Sequence, residues 1–249
     1  WPATGGDGAS GGVAAGREGR ETCALGRTWG GAGYAVVGRG RADTRPMRQG
    51  ADGGADAFTH IMEQYLTYPA GGMAQDRFAE GLLLSLVEIG PQVIANPHDY
   101  DLRANLMWIA TLALNGLIGA GVPQDWATHA IGHELTARHD IDHARTLAIV
   151  LPSMLLVRKD AKRGKLLQYA ERVWNLRDGT EDERIASAIE RTRAFFESLD
   201  IPTRLSAYGL GTETIDGVID QLEQHGMTAL GEHQDVTLDV SRRVLEASL

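Results

Sequence analysis

The run Ala127-Thr128-His129-Ala130-Ile131-Gly132-His133-Glu134-Leu135-Thr136-Ala137-Arg138-His139-Asp140-Ile141-Asp142-His143 decides how this chain is read. Four of the eight histidines fall within these residues. His129 and His133 are four apart, which on a helix stacks both imidazoles on one face. His143 follows Asp140-Ile141-Asp142 and opens the next apolar run, so the junction of two helices can supply one ligand from each. Upstream, Asp56-Ala57-Phe58-Thr59-His60 sets a carboxylate and an imidazole at the same spacing. A lone pair of that kind is most often a surface pair; the second cluster gives it weight. One carboxylate, Asp56, with three imidazoles, His60, His129 and His143, makes an N/O ligand set suited to Zn, Fe(II), Co or Ni. An ion held with one position open is a Lewis acid that polarises a carbonyl or an alkoxide. His133 and His139 are left as outer ligands or proton-relay candidates. A zinc protease is disfavoured, because the segment reads His133-Glu134-Leu135-Thr136-Ala137 and lacks the His-Glu-x-x-His order.

Outward from this cluster the pattern is helical. Helices are predicted over 55–67, 74–89 and 99–118. Others follow from Pro123 to about Ala137, over 142–157 with a kink at Pro152, and over 166–174. Thr180-Glu181-Asp182-Glu183 is a capping box that starts a helix to about Leu199, and residues 214–224 and 237–247 complete the series. The 99–118 segment is apolar nearly all round, which predicts a buried central helix. The loop Asn115-Gly116-Leu117-Ile118-Gly119-Ala120-Gly121-Val122-Pro123 reads as a close approach to another helix or a ligand; with no strand before it, it is no dinucleotide fingerprint. Of the 31 glycines, 16 precede residue 55, and the only strand-like run there is Tyr34-Ala35-Val36-Val37. The body is all-α.

Composition narrows the function classes. The chain has 249 residues, 43% hydrophobic and 23% charged, with a formal net charge of −9. An acidic chain without Lys/Arg clusters suits neither nucleic acid nor an anionic membrane. A single cysteine, Cys23, rules out a disulfide framework and fits a reducing cytoplasm. No run of eighteen apolar residues predicts a membrane span.

The segments Gly119-Ala120-Gly121-Val122-Pro123-Gln124-Asp125-Trp126-Ala127-Thr128-His129, Asp142-His143-Ala144, Leu166–Trp174 and Asp235–Arg243 together resemble the iron-containing (group III) alcohol dehydrogenases. Within that family they are similar to the branch of NADPH-dependent aldehyde reductases and butanol dehydrogenases, over about 195 residues. The resemblance implies that Asp56, His60, His129 and His143 bind the metal and that His133 lies by the substrate. It implies a two-domain, dehydroquinate-synthase-like fold: an α/β domain for NADP(H), a helical metal-binding domain, and the active site between them. Residues 1–45 then correspond to the end of the cofactor domain and residues 46–249 to the helical domain. Thr4 and Gly5 of Pro2-Ala3-Thr4-Gly5 match a family segment beside the cofactor. The implied reaction is reversible hydride transfer between NADP(H) and short-to-medium aldehydes or alcohols, with a divalent Zn or Fe ion and His133 as proton relay.

The implied setting is cytoplasmic, with a homodimer at full length. The main glycine-rich cofactor turns are absent from this chain, so the fragment alone is expected to be inactive. The rival readings are a glycerol-dehydrogenase-like zinc enzyme, against which the 124–129 run argues, and a non-catalytic helical metal-binding remnant or interaction module. Residues 6–55 depart from the family pattern (Gly5-Gly6-Asp7, Thr22, Val37-Gly38-Arg39, and Gly50, Gly53 and Gly54 in the lead to Asp56) and read as degraded or error-laden.

Overall fold

The computed structural model describes residues 11–15, 22–26 and 47–249. Thr4, Gly5 and the Tyr34–Val37 run lie outside the described residues. Among those described, strand β1 (Gly11–Ala15) pairs antiparallel with β2 (Thr22–Gly26), a hairpin that alternation in the sequence had not marked. Nine α-helices follow among the described residues: α1 (Met47–Tyr65), α2 (Met73–Ala95), α3 (Tyr100–Leu114), α4 (Ala127–His139), α5 (His143–Val157), α6 (Arg163–Arg172), α7 (Glu181–Ser198), α8 (Glu213–Gln224) and α9 (Leu238–Glu246). A short ladder, β3 (Ala229–Leu230) with β4 (Val236–Thr237), sits before α9. The helical body is as the sequence predicts.

Several boundaries and one placement differ. α1 begins at Met47, not 55, and runs through Gly50, Gly53 and Gly54. Glycine lowers helix propensity, but here tertiary packing overrides it: Ala51, Ala55, Ala57 and Phe58 are all buried. α2 extends through Pro91 to Ala95, α3 ends at Leu114 rather than 118, and α6 starts at Arg163 rather than 166; α5 runs through Pro152 as expected. α4 starts at Ala127 rather than near Pro123, because Trp126 takes a left-handed conformation (φ 65°) that no helix can continue through. The placement concerns α3, which is not the buried central helix. It packs on α1 and α2 through Leu106, Ile109 and Ala113, while its other face leaves Trp108 49% exposed. The central role belongs to α1, which contacts α2, α3, α4 and α5.

The core has two parts. One gathers Phe58, Ile61, Met62 and Leu66 of α1 with Leu83 and Leu86 of α2, Tyr169 of α6 and Phe196 of α7. The other gathers Ile131 and Leu135 of α4 with Val218 and Leu222 of α8 and Val244 of α9. α5 is the shared wall, giving Ala148 and Leu151 to the first and Ile149, Val150 and Met154 to the second. The capping box at the start of α7 forms as predicted: Glu183 N–H donates to Thr180 Oγ1 and Thr180 N–H to Glu183 Oε2. By length and hydropathy α2 alone among the described helices could cross a bilayer, yet its Ala79, Leu82, Leu83, Leu86 and Val93 face the core.

Two glycines of α1 have room for a side chain. A Cβ at Gly54 would sit 3.7 Å from Leu199 Cδ1 and 3.8 Å from Leu106 Cδ1, and one at Gly50 3.5 Å from Val93 Cγ1, all ordinary contacts. Gly50→Ala and Gly54→Ala are each expected to stabilise the chain by about 0.5–1 kcal/mol through helix propensity. Denaturant midpoints at constant slope check this; a loss of stability in both would mean that α1 needs glycine there.

Candidate metal centre

The site assembles where α1, α4 and α5 meet. Asp56, His60 and Glu63 lie at i, i+4 and i+7, one stripe of α1 turned toward α4 and α5. His129 is in the first turn of α4 and His133 one turn on; His143 is the first residue of α5. One ligand atom from each of Asp56, His129 and His143 falls within 4.8 Å of the other two. His143 Nε2 is 3.7 Å from Asp56 Oδ1. His60 lies beside this trio, its ring centroid 4.2 Å from that of His129. Its Nδ1 donates to the Asp56 carbonyl at 2.9 Å, which leaves Nε2 free. His133 stacks at a tilt on His143, centroids 4.6 Å apart, and stands 6.1 Å from His129. All five residues expected from sequence thus gather here, with Asp56, His129 and His143 as the tight group. His139 stays at the C-terminal end of α4 and joins none of these ring contacts.

The donor set fits a divalent cation. Asp56 Oδ1 and His129 Nε2 are buried and make no hydrogen bond. Buried polar atoms are ordinarily paired, so two orphans converging in one place call for a partner of opposite character. A carboxylate and neutral imidazoles are the forms in which these side chains ligate.

Burial and mutual repulsion favour the neutral imidazoles. Burial, then the neighbouring His60, His143 and His133, hold His129 well below the usual imidazole range. Burial, with His133 and His60 adding to it, pushes His143 down to about 3. His133 is lowered by burial and by His60. Burial raises Asp56, partly opposed by His60.

Glu63 is the residue of this group that the sequence reading missed. Its Oε1 accepts Thr128 N–H at 2.6 Å, and its Oε2 is in short contact with His129 Nδ1. It is 3% exposed. The available signal was an acid on the buried stripe of α1, three residues after His60. Trp126, which the sequence offers only as part of the 119–129 run, has its ring edge-on to His60 and His129 at 5.7 and 5.3 Å.

Comparisons with known proteins agree on one family. Residues 50–239 match the model of the Fe-containing alcohol dehydrogenase family, C-terminal. The NADPH-dependent aldehyde reductase YqhD of Escherichia coli (strain K12) is 62% identical over 205 residues, 82% of this chain and 53% of that protein. NADH-dependent butanol dehydrogenase A of Clostridium acetobutylicum is 33% identical over 198 residues, 79% of this chain and 51% of that protein. Among solved structures, E. coli K-12 YqhD superposes with a TM-score of 0.93 at 54% identity, covering 96% of this chain and 62% of that one. NADH-dependent butanol dehydrogenase A from Thermotoga maritima gives 0.88 at 26%, with the same coverage of 96% and 62%. The chain spans about half the length of the curated relatives it matches.

The lowered histidines make a pH prediction for the metal-free chain. A histidine kept neutral when folded but free to protonate when unfolded gives stability above its ordinary value near 6.5. For His143 that stability is lost as the pH falls from there toward about 3. The wild-type chain in chelator is therefore expected to lose thermal stability more steeply over this window than His143→Asn. The raised Asp56 acts in the opposite sense in both chains. Parallel curves would show that His143 is not held neutral.

Proposed function

This chain belongs to the Fe-containing alcohol dehydrogenase family, and on that premise we propose that it is the metal-holding helical part of an NADP(H)-dependent oxidoreductase interconverting aldehydes and alcohols. The observation that carries this reading is the convergence of Asp56, His129 and His143, with Asp56 Oδ1 and His129 Nε2 buried and without a hydrogen bond. In this reading Asp56 Oδ1, His60 Nε2, His129 Nε2 and His143 hold one divalent zinc or iron ion. When bound, that ion supplies a Lewis acid for the carbonyl oxygen of an aldehyde, lowering electron density at the carbon that hydride from the nicotinamide reaches.

The chain's own residues do the rest. The helices fix the donor atoms before any ligand arrives, so little ordering is left for binding. Trp126 stands against His60 and His129 on one side of the group. His133, beside His143, is placed to hold a proton on its ring nitrogen and hand it on as the product alcohol forms. Burial and the neighbouring His60 lower its affinity for protons, so it would act in the neutral form, giving up one ring N–H while its other ring nitrogen takes a proton from water. Thr4 and Gly5 are the cofactor-side residues of this proposal, within a segment, 1–45, assigned to the end of the cofactor domain. The full-length enzyme is assigned to the cytoplasm as a homodimer.

A second reading is a helical metal-binding module without turnover of its own, which shares the donor convergence but not the hydride transfer. Two measurements separate the possibilities. Elemental analysis is expected to find one equivalent of zinc or iron in the purified chain. His129→Ala should weaken binding by more than the roughly 10- to 100-fold that outer-sphere changes cost. An undiminished affinity would remove the ligand assignment. Mixed with NADPH, metal and butanal, the chain alone is expected to turn over no faster than a metal-free control. A clear rate above that control would discard the module reading.

A further inference from the structure

The contact between Glu63 and His129 asks for a role, because an acid buried in the core of a helical body is costly unless both its oxygens are answered. Both are. Oε1 takes the Thr128 N–H at 2.6 Å and Oε2 meets His129 Nδ1. The main-chain carbonyl of the same residue takes Asp125 N–H at 2.9 Å. Glu63 therefore grips three consecutive features of the next element: the lead into α4, its first-turn backbone and its first imidazole.

An imidazole has two nitrogens, and a proton fixed on one makes the other a lone pair. As a carboxylate Glu63 can only accept, so in that form the shared proton stands on Nδ1 and the remaining His129 Nε2 is an acceptor. That atom is buried without a hydrogen-bond partner and belongs to the residue grouped with Asp56 and His143. In the other tautomer Nε2 would carry a proton aimed at no acceptor, the costlier orphan.

We propose that Glu63 is a positioning residue of the metal centre: its carboxylate fixes the Nδ1–H tautomer of His129 and aims the Nε2 lone pair at the point shared with Asp56 and His143. This rests on the metal reading above. A carboxylate behind a ligating imidazole also raises the basicity of the coordinating nitrogen. The proposal assigns Glu63 more than a helix cap. A cap needs only an acceptor for Thr128 N–H, whereas the second oxygen is spent on the ring.

Glu63→Gln tests this with little change of shape. Glutamine has one acceptor oxygen and an NH2, so it cannot accept from both Thr128 and His129. Nitrogen-15 NMR of the metal-free wild-type chain should show His129 as the Nδ1–H tautomer, and the variant a mixture. Calorimetry with zinc alone should show affinity reduced about 10- to 100-fold in the variant. Thr180→Ala, which removes the side-chain cap of α7 and none of the contacts of Glu63 or His129, is the control for general destabilisation. It should lower thermal stability and leave the tautomer in place.

An Nε2–H tautomer in the wild-type chain overturns the proposal, as does a loss of zinc affinity in Thr180→Ala equal to that in Glu63→Gln. Equal zinc binding by wild-type and Glu63→Gln sinks this inference alone. A wild-type chain that binds no zinc sinks the metal reading and takes the inference with it.

Discussion

A helix buried on every side has to answer each polar group it carries, and α1 is such a helix. His60, Glu63 and Gln64 are exposed by 9%, 3% and 5%. An unanswered buried amide or hydroxyl costs on the order of 1–3 kcal/mol, and an unpaired charge more. Gln64 Nε2 donates to the carbonyls of His60 and Ala113, which fastens α3 to α1. The same side chain comes within 2.8 Å of where a Cβ on Gly119 would stand, which accounts for a glycine there. Glu63 fastens α4, and His60 and Asp56 face α5 through His143. The neighbours of α1 are thus placed by the demands of its polar stripe, and the apolar core fills in around that arrangement.

The same logic continues one layer out. Lys162 is 5% exposed, a place where an ammonium survives only with partners. It has three: Asp125 Oδ2 at 2.8 Å, Glu232 Oε1 at 2.8 Å and the Leu66 carbonyl at 2.6 Å. Asp125 in turn caps α4 through Ala127 N–H, and Leu66 closes α1. One buried cation therefore ties the end of α1, the start of α4, the lead into α6 and the loop before β4. Against a well-packed apolar substitute such an ion pair adds little stability; removing one partner from it costs about 3–5 kcal/mol. Its effect is to fix which arrangement forms, and that arrangement delivers His129 to Asp56.

Much of this was legible in the chain. The Asp56/His60 spacing and the 129–143 cluster name the residues that converge, because ligand chemistry restricts residue type and helical spacing restricts where each can point. The α7 capping box was legible for the same reason: its signal is local. What escaped has non-local causes. Glu63 looks like any helical glutamate until α4 is seen against it. The eight extra residues at the start of α1 are hidden by Gly50, Gly53 and Gly54, whose low propensity is overruled by burial that the local pattern does not express. α3 misleads in the other direction: an all-apolar helix is buried only if something packs on both faces, and among the described residues helices pack on one. The β1–β2 hairpin gives almost no alternation of large apolar residues to find.

Trp126 shows why fold and site are hard to separate here. A bulky aromatic residue in the left-handed region costs of order 1–3 kcal/mol and persists only where the surroundings over-determine it. They do: Trp126 Nε1 donates to Gln124 Oε1 at 2.8 Å, and the ring is held against His60 and His129. The side chain of Trp126 offers no cap to α4, so the first amides of that helix are answered by Asp125 and by Glu63 from another helix. A helix whose start is set by its own sequence can shift by a residue when its neighbours change. α4 cannot shift without abandoning Glu63, and abandoning Glu63 releases His129. The strain at Trp126 is therefore the cost of starting α4 at the one residue that puts His129 Nε2 opposite Asp56, and the contacts that repay it are the contacts that form the site.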